Sequence, residues 1–475
     1  MKKLLIPVVW LIITVTLLSC GSSGPSSKTS GIPYRAFVSN SVGNTGLFIV
    51  NADDDQHPLG LAPISAGQTP GMMVVTPNRA QTLVFSGSNT QSSDNSFTIV
   101  NNSSESNAAH LTLPGYTESF VVSPDSSTAY VAVPNAPNVG GQSPGGIEFV
   151  ALNSGSMTGE IFIPSVQNLA IDNAGDRLLA FSRNADTTDS PCSSAAPCFL
   201  FVVVPSNIGT NNPVVTPIPS VNNSNNYSLD HPVTAYFSSD DSTAYVVNCG
   251  AECGGTQASV QPFNMSTNTP GTPVFVPAAS EELVVGSTMY LAGTPYANGS
   301  PSQPCTGQVT AAPTCGLLTI FNLSSMTVAN SAPIVITDGY HNRIAMGANG
   351  QLFIGSKTCT EIIPPTPPTP GAEVRGCLSI YNTQPIAVGS VQPGGVVIPP
   401  ENGDVTGIQP IGTRDVVYVV QGYPTPGGSL YIYCTVADGS TSCPGTDVLQ
   451  NVPANEPAYA PLMVGNFYDV KTVDF

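Results

Sequence analysis

Residues 123–133, SPDSSTAYVAV, decide the fold, because the chain keeps rewriting them. An apolar run leads into a tight turn of Asp, Ser, Asn or Gly, and alternating small, β-branched and aromatic residues follow. Turn chemistry joined to period-two alternation spells a β-hairpin. Variants stand at 75–87 (VTPNRAQTLVFSG), 171–184 (IDNAGDRLLAFSRN), 237–248 (FSSDDSTAYVVN), 346–356 (MGANGQLFIGS) and 408–422 (IQPIGTRDVVYVVQG), with a shorter one at 283–293 (LVVGSTMYLAG). Recurrence at roughly 48 to 64 residues marks an array of supersecondary units.

Each unit carries two further strands. Third strands close on a polar turn, as in 47–51 (LFIVN), 97–101 (FTIVN), 317–322 (LLTIFN) and 378–382 (LSIYN). Fourth strands are closed by Pro or Gly, and read 110–114 (HLTLP), 160–164 (EIFIP) and 333–337 (PIVIT) among others. Four antiparallel strands per unit bury their faces only by stacking on neighbouring units. The expected fold is therefore all-β, a single β-propeller of four-stranded antiparallel blades. An Ig-like array would repeat at about twice this period.

First strands near 71, 119, 167, 231, 280, 341 and 404 give seven complete units. The partial piece at 35–66 lacks a first strand, and 458–475 offers strand material without a unit. Joining the two ends closes an eighth blade and removes exposed sheet edges. The count is eight, or seven if a unit such as 166–220 is irregular.

The repeat resembles the bacterial YVTN-type propeller repeats, relatives of the lactonase-like propellers. The resemblance rests on SPDSSTAYVAV, SSDDSTAYVVN and RDVVYVVQG with the Asn-closed third strands, and it spans nearly all of 34–475. It implies fold more than activity.

Residues 1–19 read as a signal peptide: Lys2 and Lys3, an apolar run too short and Pro-broken to span a membrane, then Ser19. Leu17-Leu18-Ser19-Cys20 resembles the bacterial lipobox, which implies cleavage before Cys20 and lipid attachment to it. Gly21 in place of Asp favours the outer membrane in that resemblance. Residues 20–33, rich in Gly and Ser, form the lipidated cysteine and its flexible tether, and 34–475 form the propeller.

The other ten cysteines are neighbours in sequence: Cys192/Cys198, Cys249/Cys253, Cys305/Cys315, Cys359/Cys377 and Cys434/Cys443. An even number in an exported chain points to five local disulfides. The first four staple connections between second and third strands. Those loops (184–197, 294–314 and 360–375 among them) share one face of a propeller, and variable loops on a rigid scaffold are where function sits.

Catalytic signals are sparse. His57, His110, His231 and His341 lack ligand spacing, and no nucleophile elbow, P-loop or dinucleotide fingerprint stands out. Asp53-Asp54-Asp55 reads as a solvated acidic turn rather than a calcium loop. Asp125, Asp172, Asp240 and Asp241 occupy the repeated turn, where Asp serves local backbone N–H groups. The only Trp is Trp10, so propellers that rely on Trp motifs are disfavoured. No metal or cofactor is expected.

Without Lys2 and Lys3, 10 basic face 30 acidic residues, a formal charge of −20. That disfavours nucleic acid and anionic lipid surfaces as partners. The sparse charge suits neutral polymers. Two functions remain in view: a monomeric, lipid-anchored, non-enzymatic scaffold presenting a face to an envelope protein or polysaccharide, and a lactonase-like hydrolase. The hydrolase would need charged groups converging at the channel, with Glu281, Glu282, His231, His341 and Arg343 at unit starts as its candidates.

Overall fold

A computed structural model describes residues 29–87, 94–138, 143–188, 190–205, 214–220, 229–297, 300–301, 315–332, 334–359, 376–383, 395–399, 403–412, 414–422, 428–435 and 459–474. The chain is a β-propeller. In the first sheet Pro70–Val75, Gln81–Ser86, Ser96–Asn101 and Ser106–Thr112 lie side by side, antiparallel, in chain order. The same plan recurs in five more sheets, whose innermost strands are Ser119–Val122, Val166–Ile171, Pro232–Phe237, Glu281–Val285 and Tyr340–Met346. The unit beginning at Val166 is a regular four-stranded sheet.

The seventh sheet has six strands. It runs Asp404–Ile411, Val416–Gly422, Gly428–Cys434, Tyr459–Thr472, Arg35–Asn40 and Gly46–Asn51. Its long strand serves two repeats. Residues from Tyr459 to Met463 pair with 430–433, while Phe467 to Thr472 pair with 36–40. Leu47 bridges Ile64, which stands where a fourth strand belongs. Counted as hydrogen-bonded sheets the ring has seven members, and counted as innermost strands it has eight. The termini close it.

The apolar core confirms the stacking logic. Eight clusters of buried side chains lie between consecutive repeats, for example Phe85, Phe97, Phe120 and Val131, or Leu179, Phe181, Ala235 and Val246. Phe97 meets Phe120 edge to face at 5.2 Å, and Tyr130 meets Phe149 at 5.1 Å. Each such ring contributes about 2–3 kcal/mol by leaving water.

Antiparallel connectivity sorts the loops onto two ends. The turn end carries the first-to-second and third-to-fourth strand turns. Here Ser127 N–H donates to Asp125 Oδ1 at 3.0 Å, and Asp176 and Arg177 N–H donate to Asp172 Oδ1 at 2.8 and 3.1 Å. One residue per hairpin turns through positive φ: Arg79, Ser126, Gly175, Asp241, Gly286 and Gly350. The Asn that closes third strands also has its cause. Asn101, Asn264 and Asn322 each accept an N–H from two or three residues on, which makes the following turn.

Ion pairs at the same end close the ring. Arg35, 1% exposed, binds both carboxylate oxygens of Asp474 (2.9 and 2.8 Å) and Glu105 of the next blade (2.8 Å). Asp55 accepts two hydrogen bonds from Arg414 and one from Tyr418, so the acidic turn at 53–55 is anchored by a guanidinium.

Candidate functional site

The other end of the ring, the mouth, holds a cavity of about 1170 Å³ on the axis. Its wall comes from the first residues of innermost strands and the last residues of second strands. Four of the five unit-start candidates line it: Glu281, Glu282, His231 and Arg343. His341 does not. Its ring is fully buried within the blade, Nε2 lies 2.9 Å from the Thr337 carbonyl oxygen, and burial pushes its pKa down to about 4. Alternation along the strand explains the correction, because His341 and Asn342 face opposite sides.

The same alternation splits the two glutamates. Glu282 turns toward the preceding blade, where Thr234 Oγ1–H donates to its Oε1 at 3.3 Å. Glu281 is influenced by Arg343 of the following blade. Burial pushes Glu281 up to about 8, relieved by Arg343 and reinforced by Glu282. Glu282 rises to about 7 from burial, with Thr234 opposing.

Glu252 comes from the short helical turn Gly250–Cys253, inside the Cys249–Cys253 disulfide loop. It accepts Thr294 N–H at 2.9 Å and Ser280 Oγ–H at 3.3 Å, and burial raises it to about 7. Near neutral pH these carboxyls are partly protonated, so they donate as well as accept.

Across the cavity Arg183 Nη2 lies 3.2 Å from Glu118 Oε2, and its Nε donates to Gln167 Oε1 at 2.9 Å. Gln167 Nε2 completes the triangle by donating to Glu118 at 2.7 Å. Lys357 sits over the Tyr468 ring at 5.4 Å. Tyr340 adds a hydroxyl whose pKa rises to about 12, from burial first and then from Glu281, Glu118 and Glu252.

His231 lies at the rim. Its ring packs on Phe199 at a centroid distance of 4.4 Å, and Nδ1 is 3.1 Å from Asp230 Oδ1. Burial would raise Asp230, but hydrogen bonds from His231, Thr256 and Gln257 hold it well below the ordinary carboxylate range. His231 takes φ of +54°, a left-handed conformation that costs a β-carbon residue about 1–2 kcal/mol.

Of the expected loops, 360–375 and most of 294–314 lie outside the described residues. Cys192–Cys198, Cys249–Cys253 and Cys359–Cys377 are disulfides, with Cα separations of 5.5, 5.7 and 5.6 Å. Cys315 and Cys434 are disulfide-bonded too. Their expected partners, Cys305 and Cys443, lie outside the described residues, as does Cys20. Among the described residues no group of three His, Cys, Asp or Glu side chains is placed to hold a metal ion.

Sequence reading missed Glu118, Gln167, Tyr340, Arg183 and Lys357. The first three stand at unit starts, the positional signal that found Glu281. The last two lie in the later part of second strands, where the repeat fades.

No family model matches the chain, and no curated protein matches its sequence. Its likenesses are structural. The dihydro-heme d1 dehydrogenase NirN is 11% identical, with TM-score 0.53 over 96% of this chain and 78% of that one. The Dos1 propeller is 9% identical, with TM-score 0.51 over 85% and 86%. The Pseudomonas aeruginosa periplasmic gluconolactonase PpgL is 11% identical, with TM-score 0.46 over 92% and 98%. At these identities the likeness establishes one thing, the β-propeller fold.

Proposed function

We propose that this protein is an extracytoplasmic, lipid-anchored propeller whose mouth binds a neutral, hydroxyl-rich ligand such as an envelope oligosaccharide, without transforming it. The observation that carries the reading is the cavity wall: the carboxyls of Glu252, Glu281 and Glu282, Gln167, Asn168, Asn342, Tyr340 and a Glu118–Gln167–Arg183 triangle. Such a wall offers donors and acceptors in every direction with little net charge. The signal-like start, Cys20 and the disulfides support the location. Titration calorimetry of the mature chain against neutral oligosaccharides tests it. One glycan class should bind, and Arg183→Ala and Tyr340→Ala should each weaken binding at least about fivefold, about 1 kcal/mol. Binding to none, or binding indifferent to both variants, would overturn it.

One observation favours a second reading, a hydrolase. His231 is strained and oriented by Asp230 at the rim, the arrangement of a general base. Turnover of lactone or ester substrates that vanishes in His231→Gln would establish that reading over the first.

A further inference from the structure

Cations are scarce in this chain, 12 Lys and Arg against 30 Asp and Glu, and their placement is uneven. Among the described residues, Arg35 and Arg414 are consumed in the clamps at the turn end, and Arg177 sits in a turn. The remaining five, Arg79, Arg183, Arg343, Lys357 and Lys471, all line cavities on the axis.

Three of those five meet in a second chamber. It is an open recess of about 380 Å³, lies toward the turn end, and shares Met72 and Arg343 with the mouth cavity. Arg343 is therefore the waist between them, and Arg79 and Lys471 stand below. Asp469 is the one carboxylate in its wall. It is fully buried and already accepts Met73 N–H at 2.9 Å and Val470 N–H at 2.8 Å, with Lys471 Nζ at 3.3 Å.

The two guanidiniums are oriented without being neutralised. Arg79 Nη1 donates to the Thr472 carbonyl at 3.0 Å. Arg343 donates to the carbonyls of Thr406 and Asn342 at 2.8 and 2.6 Å. Among the described residues neither has a carboxylate within ion-pair distance. Glu281 faces Arg343 only from the mouth side.

We propose that this lower chamber binds a small oxyanion, a phosphate- or carboxylate-bearing molecule held by Arg79, Arg343 and Lys471. Guanidinium forks match an oxyanion's geometry, and three cations lining one recess reinforce one another's field. The acidic exterior repels polyanions, so the ligand is one small enough to enter. This site shares Arg343 with the mouth, whereas Arg79 and Lys471 line it alone.

Thermal unfolding and calorimetry of the mature chain with inorganic phosphate test the proposal. Phosphate should raise the melting temperature saturably, less so as salt is added, because screening weakens the attraction. Arg343→Gln and Arg79→Gln should each lower phosphate affinity about tenfold or more. Lys471→Gln should do the same, and Arg79→Gln, on an exposed turn, keeps the test open if the closing strand does not tolerate Lys471→Gln. Arg177→Gln removes a cation elsewhere and should change nothing. No phosphate effect in the wild type, an undiminished effect in Arg79→Gln, or an equal loss in Arg177→Gln would each overturn the proposal. Oligosaccharide binding measured in Arg79→Gln separates this outcome from the fate of the mouth.

Discussion

At the turn end each hairpin reverses through the same short stretch, and the reversals are bonded to one another. Asn78 N–H donates to Ser126 Oγ of the next blade at 3.0 Å, and Asn173 and Ala174 N–H both reach Asp241 at 3.0 Å. At the mouth no two connections are alike in sequence, and among the described residues disulfides restrain three of them. The difference teaches where repetition is needed. Every blade must turn in the same way to stack, whereas a binding cavity needs unlike groups at equivalent positions.

The comparison breaks most sharply at the ring closure. Arg35→Ala leaves Asp474 and Glu105 facing each other without their cation in a buried site. It should cost about 3–5 kcal/mol in denaturant unfolding and loosen the blades on both sides. A loss below about 1 kcal/mol would show that the turn end does not govern stability.

Removing the mouth's Cys359–Cys377 bridge by a double Ser substitution should cost about 3 kcal/mol in the chain-entropy account of its loop. Its effect should stay local. Hydrogen exchange that quickens across the turn end as well would contradict the division between the two ends. Asp172→Ala should cost about 1–2 kcal/mol by leaving the Asp176 and Arg177 N–H groups unserved, while binding at the mouth is unchanged.

The smallest effect is a pH dependence set by the mouth. Glu281 and Glu282 have folded pKa values raised to about 8 and 7, so between the ordinary carboxylate range and pH 8 the folded state holds protons that the unfolded chain has released. Stability therefore falls as pH rises through that window. Glu148, raised by burial and by its cross-strand neighbour Glu160, adds to the same limb from within a blade. His341, lowered to about 4, acts oppositely and costs stability as pH falls below about 6.5. Maximum stability should lie near pH 5–6. Because both mouth carboxyls line the cavity rather than the packed core, Glu281→Gln and Glu282→Gln should each flatten the alkaline limb by only a few degrees. Unchanged curves would place the effect in Glu148 instead.

What could be read in the sequence follows the same division. The hairpins, the Asn-closed third strands and the closure by the two ends were legible because turn chemistry is local and repeats. The double duty of Tyr459–Thr472 was not, since nothing local distinguishes one long strand from two short ones. Glu281, Glu282, His231 and Arg343 were found by position alone. His341 satisfied the same rule yet points into a blade, because a one-residue step reverses the side chain. Arg183 and Lys357 needed the fold itself to bring them to the axis.

The chain's entry point also bears on the proposed anchor. Thr29 and Ser30 bond Ser104 and Glu105, so the polypeptide joins the ring at the turn end, beside Asp474. A tether fastened at Cys20 would therefore draw the turn end toward the bilayer and leave the cavity facing away from it, like a bowl standing on its base.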